Sequence, residues 1–229
     1  MDRELEEIKV RYAKRLENCA SENYNPLLPS VFMSQQELER MAITKIFSKL
    51  GASLYPLNVL EVGCGNGANI AKLIKYGFDP NKIVGIDILG ERIEDAKRNL
   101  PSGVSLILGD ASQLDCINKF DLIYVSTVFS SILDSETKSR LAKNIWNILK
   151  PGGGIYWYDF IYNNPKNPDV RGVAQSEVRA LFPESKATFW SVTLAPPISR
   201  LVVKLHPCLY TLLNFFPFLR THILGWITK

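Results

Sequence analysis

Val59-Leu-Glu-Val-Gly-Cys-Gly-Asn-Gly-Ala-Asn-Ile-Ala-Lys-Leu-Ile-Lys75 decides the fold. A short apolar run enters a turn with glycine at positions 63, 65 and 67, and a helix-forming stretch leaves it. A ligand can lie against backbone that carries no Cβ atoms, and the amides at the start of a helix point at it. Taken alone, the turn is open to two cofactor types. Gly63-x-Gly65-x-x-Ala68 also satisfies the dinucleotide fingerprint, so an NAD-dependent oxidoreductase is the first rival, and a module that binds cofactor without turnover is the second.

Outward from the turn the rhythm repeats. Apolar runs at 59–62, 82–86, 104–108, 120–125 and 155–160 alternate with helical stretches at 68–76, 91–100 and 135–149. Runs without polar alternation, separated by helices, predict a parallel sheet covered on both faces. Right-handed crossovers then gather the loops after each strand along one edge. Before this region, residues 2–20 have apolar positions at helical spacing, and Ser34 with Glu37 reads as a capping box opening a second helix that runs to about Leu50. After it come a short helix near 176–182 and strand candidates at 188–193 and 222–228. Between those strands a helical stretch, 198–218, is interrupted by Pro207 and Pro217. The expected division is a helical addition over 1–54 and one α/β domain over 55–229.

Composition bounds the rest. A chain of 229 residues, 46% hydrophobic and 22% charged, can bury a core without disulfides or metals. The net charge of +4 is mild and no basic run suggests a nucleic-acid partner. Four cysteines without C-x-x-C spacing and two histidines argue against a metal site and for a reduced, cytoplasmic protein. The charged N-terminus is no secretory signal, and no apolar stretch has the length of a membrane span.

Three acids surround the turn. Asp87 ends the second run, where a carboxylate can accept from ribose hydroxyls. Asp110 ends the third, suited to an adenine amino group, with Ala111 beside it. Glu61 precedes the first glycine, where negative charge opposes a pyrophosphate and favours a cation. This constellation resembles the class I S-adenosylmethionine-dependent methyltransferases over about residues 55–160. The resemblance implies a Rossmann-like, doubly wound α/β fold with a seven-stranded sheet, mostly parallel, its last strand antiparallel. It also implies S-adenosylmethionine as cofactor, held by Glu61, Gly63, Cys64, Gly65, Gly67, Asp87, Ile88, Asp110, Ala111 and Ser126. Asp121 reads as fold support, and Cys64 as a small turn residue rather than a nucleophile.

The acceptor is less legible. Ser126-Thr-Val-Phe after the fourth run is not the Asn/Asp-Pro-Pro-Tyr/Phe of enzymes methylating nucleobases or glutamine. A hydroxyl acceptor gains from a general base, and Asp159 and His222 are the candidates. Tyr158, Tyr162, Asn163 and Arg171 are candidates for an acceptor pocket. A turn role for Asp159 and an ion-paired Arg171 remain open. Tyr24, Gln36 and Glu39, or Tyr12 and Arg15 from the first helix, are candidates to close over the cofactor. Tyr158-Asp-Phe, Asn163-Asn-Pro, Arg171-Gly-Val, Leu194-Ala-Pro-Pro and Arg220-Thr-His222 resemble bacterial methyltransferases of polysaccharide clusters, which implies a sugar or glycolipid hydroxyl. Finally, 201–218 is more apolar than one surface helix needs, and Ala187–Lys229 holds four basic residues and no acid. Packing against the sheet, a lid, a homodimer face and a peripheral membrane contact are the readings open to it.

Overall fold

The computed structural model describes residues 3–17, 25–164 and 167–229. Seven strands form one sheet in the order β3-β2-β1-β4-β5-β7-β6. They are β1 (Val59–Val62), β2 (Ile83–Asp87), β3 (Ser105–Leu108), β4 (Phe120–Ser126), β5 (Leu149–Phe160), β6 (Lys186–Leu194) and β7 (Arg220–Thr228). The first five are parallel neighbours, and β7 runs antiparallel between β5 and β6. The chain reverses direction beside β1, and the crevice there is the expected ligand position of a doubly wound sheet.

Both faces are covered, which is why the central strands carry apolar residues on either side. One face packs α1 (Arg3–Glu17), α5 (Ser135–Ile148) and α6 (Gln175–Leu181) over a core that includes Val62, Ile123, Trp157 and Ile223. The other packs α2 (Pro29–Lys45), α3 (Ala68–Lys75) and α4 (Gly90–Asn99) over Val59, Leu122, Tyr156 and Leu224. Between β6 and β7 the chain forms α7 (Pro196–Leu205) and α8 (Cys208–Asn214). Pro207 separates these two helices, and Pro217 opens a single 3-10 turn before β7.

Three boundaries depart from expectation, one of them the end of α2, at Lys45 rather than Leu50, with a 3-10 turn over Phe47–Lys49 after it. Helix α2 starts at Pro29, not at Ser34. Proline suits the first helical position because its missing N–H needs no partner there. Ser34 then lies inside the helix and its hydroxyl donates to Val31 O at 2.8 Å. Glu37 makes no capping box. It is buried, accepting from the Thr193 amide and from the Tyr210 hydroxyl at 2.8 Å. Strand β5 starts at Leu149 rather than 155, because its pairing with β4 resumes beyond an irregularity between Phe120 and Leu122.

Candidate functional site

The glycine turn sits at the carboxyl end of β1, in the crevice. The Gly63 and Cys64 amides donate to Ile86 O at 2.8 and 3.1 Å, tying the turn to the end of β2. Gly63, Gly65 and Gly67 all have positive φ, at 68°, 53° and 83°. That region is costly for residues with a Cβ. Their surroundings differ. A Cβ on Gly65 would meet nothing within 4 Å, whereas one on Gly67 would lie 2.5 Å from Leu100 Cδ1. Gly65 therefore faces open space and Gly67 faces packing.

Asp87 connects the turn to the next helix. Its carboxylate accepts from the Gly65 amide and from the Leu89 amide, each at 2.9 Å. The strands converge here on a cavity of about 260 Å³ lined by Gly63, Gly65, Asp87, Ile88, Asp110, Ala111 and Ser126 among others. A second cavity of about 480 Å³ adjoins it between α1 and α4, and the two share Tyr12, Ile88, Arg92 and Asp110. Asp110 accepts from the Ser112 amide at 2.8 Å and caps the short turn Ala111–Gln113. Seven of the ten expected cofactor residues thus line one cavity.

The other three do not line it. Gly67 caps α3 and packs on Leu100. Cys64 is buried toward the position of the missing Gly85 side chain, and burial pushes its thiol well above the usual range. Glu61 lies behind the turn. One of its oxygens accepts from Asn69 Nδ2 at 2.8 Å, and the other, Oε2, is buried with no partner among the described residues. Burial lifts its carboxyl to about 8. The carboxyl is therefore neutral at pH 7, shielded behind the turn rather than exposed to the cavity.

A stability test follows from Glu61. Between pH 4.5 and 8 the folded protein keeps a proton that the unfolded chain has released, so stability falls as pH rises through that window. Glu61→Gln carries no such proton. Wild type is expected to lose melting temperature relative to this variant between pH 5 and pH 9, by roughly 5 °C or more. Parallel melting curves across that range would show that Glu61 is already charged.

Helix α1 roofs the cavity with Leu5, Ile8 and Tyr12. It is fastened to the segment after β4. Glu4 accepts from the Leu133 amide at 2.8 Å, Arg11 donates to Ser131 O at 3.1 Å, and the Tyr12 and Ser131 hydroxyls lie 3.2 Å apart. Of the residues expected to close over the site, Tyr12 does so. Gln36 and Glu39 line neither cavity, because α2 packs over β6 and α7 instead. Tyr24 and the Arg15 side chain lie outside what the structure describes. Releasing the roof by Arg11→Ala is expected to speed dissociation of S-adenosylhomocysteine about fivefold, read by stopped-flow fluorescence, with little change in the fold. An unchanged rate would mean that α1 does not gate the cavity.

The acceptor candidates are dispersed. Asp159 is 1% exposed beneath the turn Phe129–Ser131, accepting from the Ser130 and Phe160 amides at 3.0 Å each. Burial raises its carboxyl to about 6. Of the two roles open to it, the structure shows the turn role. Arg171 is ion-paired with Glu177 at 2.7 Å, and Asn163 accepts from the Gly172 amide at 3.0 Å, so both stabilise their own loop. Tyr162 is exposed. Tyr158 lies within 3.0 Å of the Thr193 hydroxyl and stacks on His222 at 5.1 Å between ring centroids. Burial lowers the His222 imidazole to about 4, so it is neutral at pH 7. Strand alternation sends Asp159, paired with Ile223, to one face of the sheet and His222, paired with Phe160, to the other. The two base candidates therefore cannot act on one atom together.

Sequence reading missed Arg92. Arg92 lies on the first turn of α4 and lines both cavities. Its signal was the i+5 position after Asp87, which a strand-turn-helix reading places near that edge. Thr127 lines the cavity at φ 55°, with its amide donating to Tyr158 O at 2.7 Å. A β-branched residue in that region is strained, as residues at ligand sites often are.

Comparison with known proteins agrees with this geometry. Residues 59–153 match the family described as a methyltransferase domain. That matched segment, from β1 into β5, together with the seven-stranded fold, makes this chain similar to the class I S-adenosylmethionine-dependent methyltransferases. The chain is 34% identical over 105 residues to malonyl-[acyl-carrier protein] O-methyltransferase 1 of Ilyobacter polytropus, covering 45% of this chain and 38% of that protein. It is 33% identical over 100 residues to nodulation protein S of Rhizobium tropici, covering 43% and 41%. It thus spans about two fifths of the length of each. In fold it resembles the N-methyltransferase NodS of Bradyrhizobium japonicum WM9, solved with S-adenosyl-L-homocysteine. That likeness covers 100% of both chains at a TM-score of 0.67 and 17% identity. Among the described residues no helix is long and apolar enough to cross a membrane.

Proposed function

We infer that this protein transfers a methyl group from S-adenosylmethionine to a hydroxyl of a small acceptor, of the sugar, glycolipid or natural-product class. The observation that carries the transfer is the cavity where Gly63 and Gly65, Asp87 and Asp110 converge within the matched methyltransferase segment. The cofactor supplies an electrophilic methyl on a sulfonium and leaves as a neutral thioether. The residues here fit it. Gly65 leaves room against the backbone, Asp87 has acceptor capacity for ribose hydroxyls, and Asp110 has it for an amino group. The unpartnered oxygen of Glu61 adds a latent negative charge behind the turn.

What remains for the protein is alignment, which alone can lower a displacement barrier by about 7 kcal/mol or more. Leu5, Ile8 and Tyr12 of α1 give the cavity an apolar wall that narrows its opening to solvent. A hydroxyl also has to lose a proton. His222 suits this better than Asp159, whose two carboxylate oxygens are taken up by the Ser130 and Phe160 amides. The Ser126-Thr-Val-Phe loop, unlike that of amino methyltransferases on nucleobases, supports an oxygen acceptor.

Titration calorimetry tests the cofactor: S-adenosylhomocysteine is expected to bind and NADH is not. Binding of NADH alone would replace this reading with the oxidoreductase one. Radiolabelled methyl transfer to extracted saccharides and lipids tests the acceptor, with alkali-stable ether products expected. Label appearing only on amines would move the reaction to N-methylation. His222→Asn is expected to lower kcat about 100-fold with the cofactor KM unchanged, and to remove the acid limb of the kcat profile. Full turnover by that variant would remove His222 as the base.

A further inference from the structure

The helices α7 and α8 join the end of β6 to the start of β7. β7 is antiparallel, so Arg220 and His222 lie level with the ends of β6 and β5, at the edge that also carries the glycine turn. The inner sides of these helices are accounted for: Val203 and Tyr210 pack with Leu194 and Met33. Their outer sides are not. Leu201 and Leu205, four apart on α7, are 66% and 76% exposed. Leu212 and Phe215, three apart, are 60% and 78% exposed, and Phe218 follows at 75%. Phe32 on the neighbouring α2 is also exposed. Soluble proteins rarely leave so many large apolar side chains on adjoining elements without a use for them.

The charges around this surface all have one sign. No Asp or Glu occurs from Lys186 to Lys229, and residues 29–36 at the start of α2 carry no charge. Arg220 and Lys229 are spent internally, on Asn214 and Ser191 carbonyls and on the carbonyls ending α5. Lys204 remains exposed between Leu201 and Leu205, with Arg200 one turn earlier on the same helix. Apolar side chains flanked by cations on the outer side of a helix match the acyl boundary and the phosphates of a bilayer. A second copy would bring the same cations against themselves.

We propose that α7, α8 and the turn after them seat this protein on an anionic lipid surface. Phe215, Phe218, Leu212 and Leu205 enter the interface, and Arg200 and Lys204 meet the phosphates. The site edge then faces the headgroups, where an amphiphilic acceptor such as a glycolipid presents its hydroxyls. That last step rests on the proposed methyl transfer, whereas the seat itself does not.

Co-sedimentation of the full chain with vesicles reads the seat without turnover. Binding is expected on phosphatidylcholine mixed with phosphatidylglycerol, far less on phosphatidylcholine alone, and less again in high salt. Phe215→Asp is expected to lower partitioning ~tenfold and Lys204→Glu ~fivefold, with melting and S-adenosylhomocysteine affinity unchanged. No vesicle binding, equal binding to neutral and anionic vesicles, or indifference to Phe215→Asp would each overturn the proposal. So would a solution dimer that Phe215→Asp dissociates, which would assign the face to a second copy. Vesicle binding without any methyl transfer would leave the seat standing and remove the proposed activity.

Discussion

Gly65→Leu is expected to weaken S-adenosylhomocysteine binding about 100-fold or more while lowering Tm by only about 2–8 °C. Gly67→Leu is expected to do the reverse in kind, unfolding the turn before binding can be measured. Both positions have positive φ, so each substitution carries a backbone cost of roughly 1–2 kcal/mol. The difference lies beyond the backbone. At Gly65 a Cβ meets nothing within 4 Å, and the rest of a leucine extends into the cavity. At Gly67 the Cβ would lie 2.5 Å from Cδ1 and 2.8 Å from Cγ of Leu100, which is itself buried. Moving that side chain disturbs the contact of α3 with α4 and adds roughly 2–3 kcal/mol. Calorimetry on the first variant and thermal melting on both are the measurements. Wild-type affinity in Gly65→Leu would mean that the cofactor does not lie against this turn.

The contrast also shows what the sequence made legible. Gly63, Gly65 and Gly67 are alike as letters, and spacing marks all three as one motif. Only packing separates the two that line the cavity from the one that fits α3 to α4. The strands were legible because runs buried on both faces leave a continuous apolar signature, and Asp87 and Asp110 because each ends such a run. Glu61 was legible as an acid near the turn, but not as a buried, neutral one. Its burial depends on Asn69 and on α3 closing over that face.

Other features depend on partners far away in the chain. Ser34 and Glu37 have the spacing of a capping box, yet Glu37 is taken up by Thr193 and Tyr210, more than 150 residues on. Asp159 and Arg171 sit in loops where acceptor-binding groups are expected, but one holds the Ser130 amide and the other pairs with Glu177. Nothing local distinguishes a carboxylate that holds a turn from one that takes a proton. The apolar 201–218 stretch was legible as an excess. Its division into an inner side on Leu194 and an outer side in solvent required the fold.

Glu177→Ala is expected to destabilise the protein by about 3 kcal/mol, more than Lys138→Met does. Lys138 is 1% exposed, and its ammonium lies 2.9 Å from Glu177 Oε1. The same oxygen holds Arg171 at 2.7 Å. Removing Glu177 leaves the Lys138 ammonium buried and unpaired, which costs far more than the pair itself contributes. Lys138→Met removes the buried charge and keeps most of the volume, leaving Glu177 to Arg171, and is expected to cost about 1 kcal/mol or less. The double variant is expected to recover most of the loss seen in Glu177→Ala. For a chain of this length the single variant corresponds to a fall of about 6–10 °C in Tm. The effect should reach the site edge. Arg171 donates its amide to Ser130 O, and Ser130 donates its own to Asp159, so slackening the 163–173 loop loosens the turn that follows β4. Hydrogen exchange at the Ser130 amide would report this directly, faster in Glu177→Ala and in the double variant, which both lack the Arg171 partner, and unchanged in Lys138→Met. Equal melting of Glu177→Ala and Lys138→Met would mean that Lys138 reaches water and that this network does not brace the site.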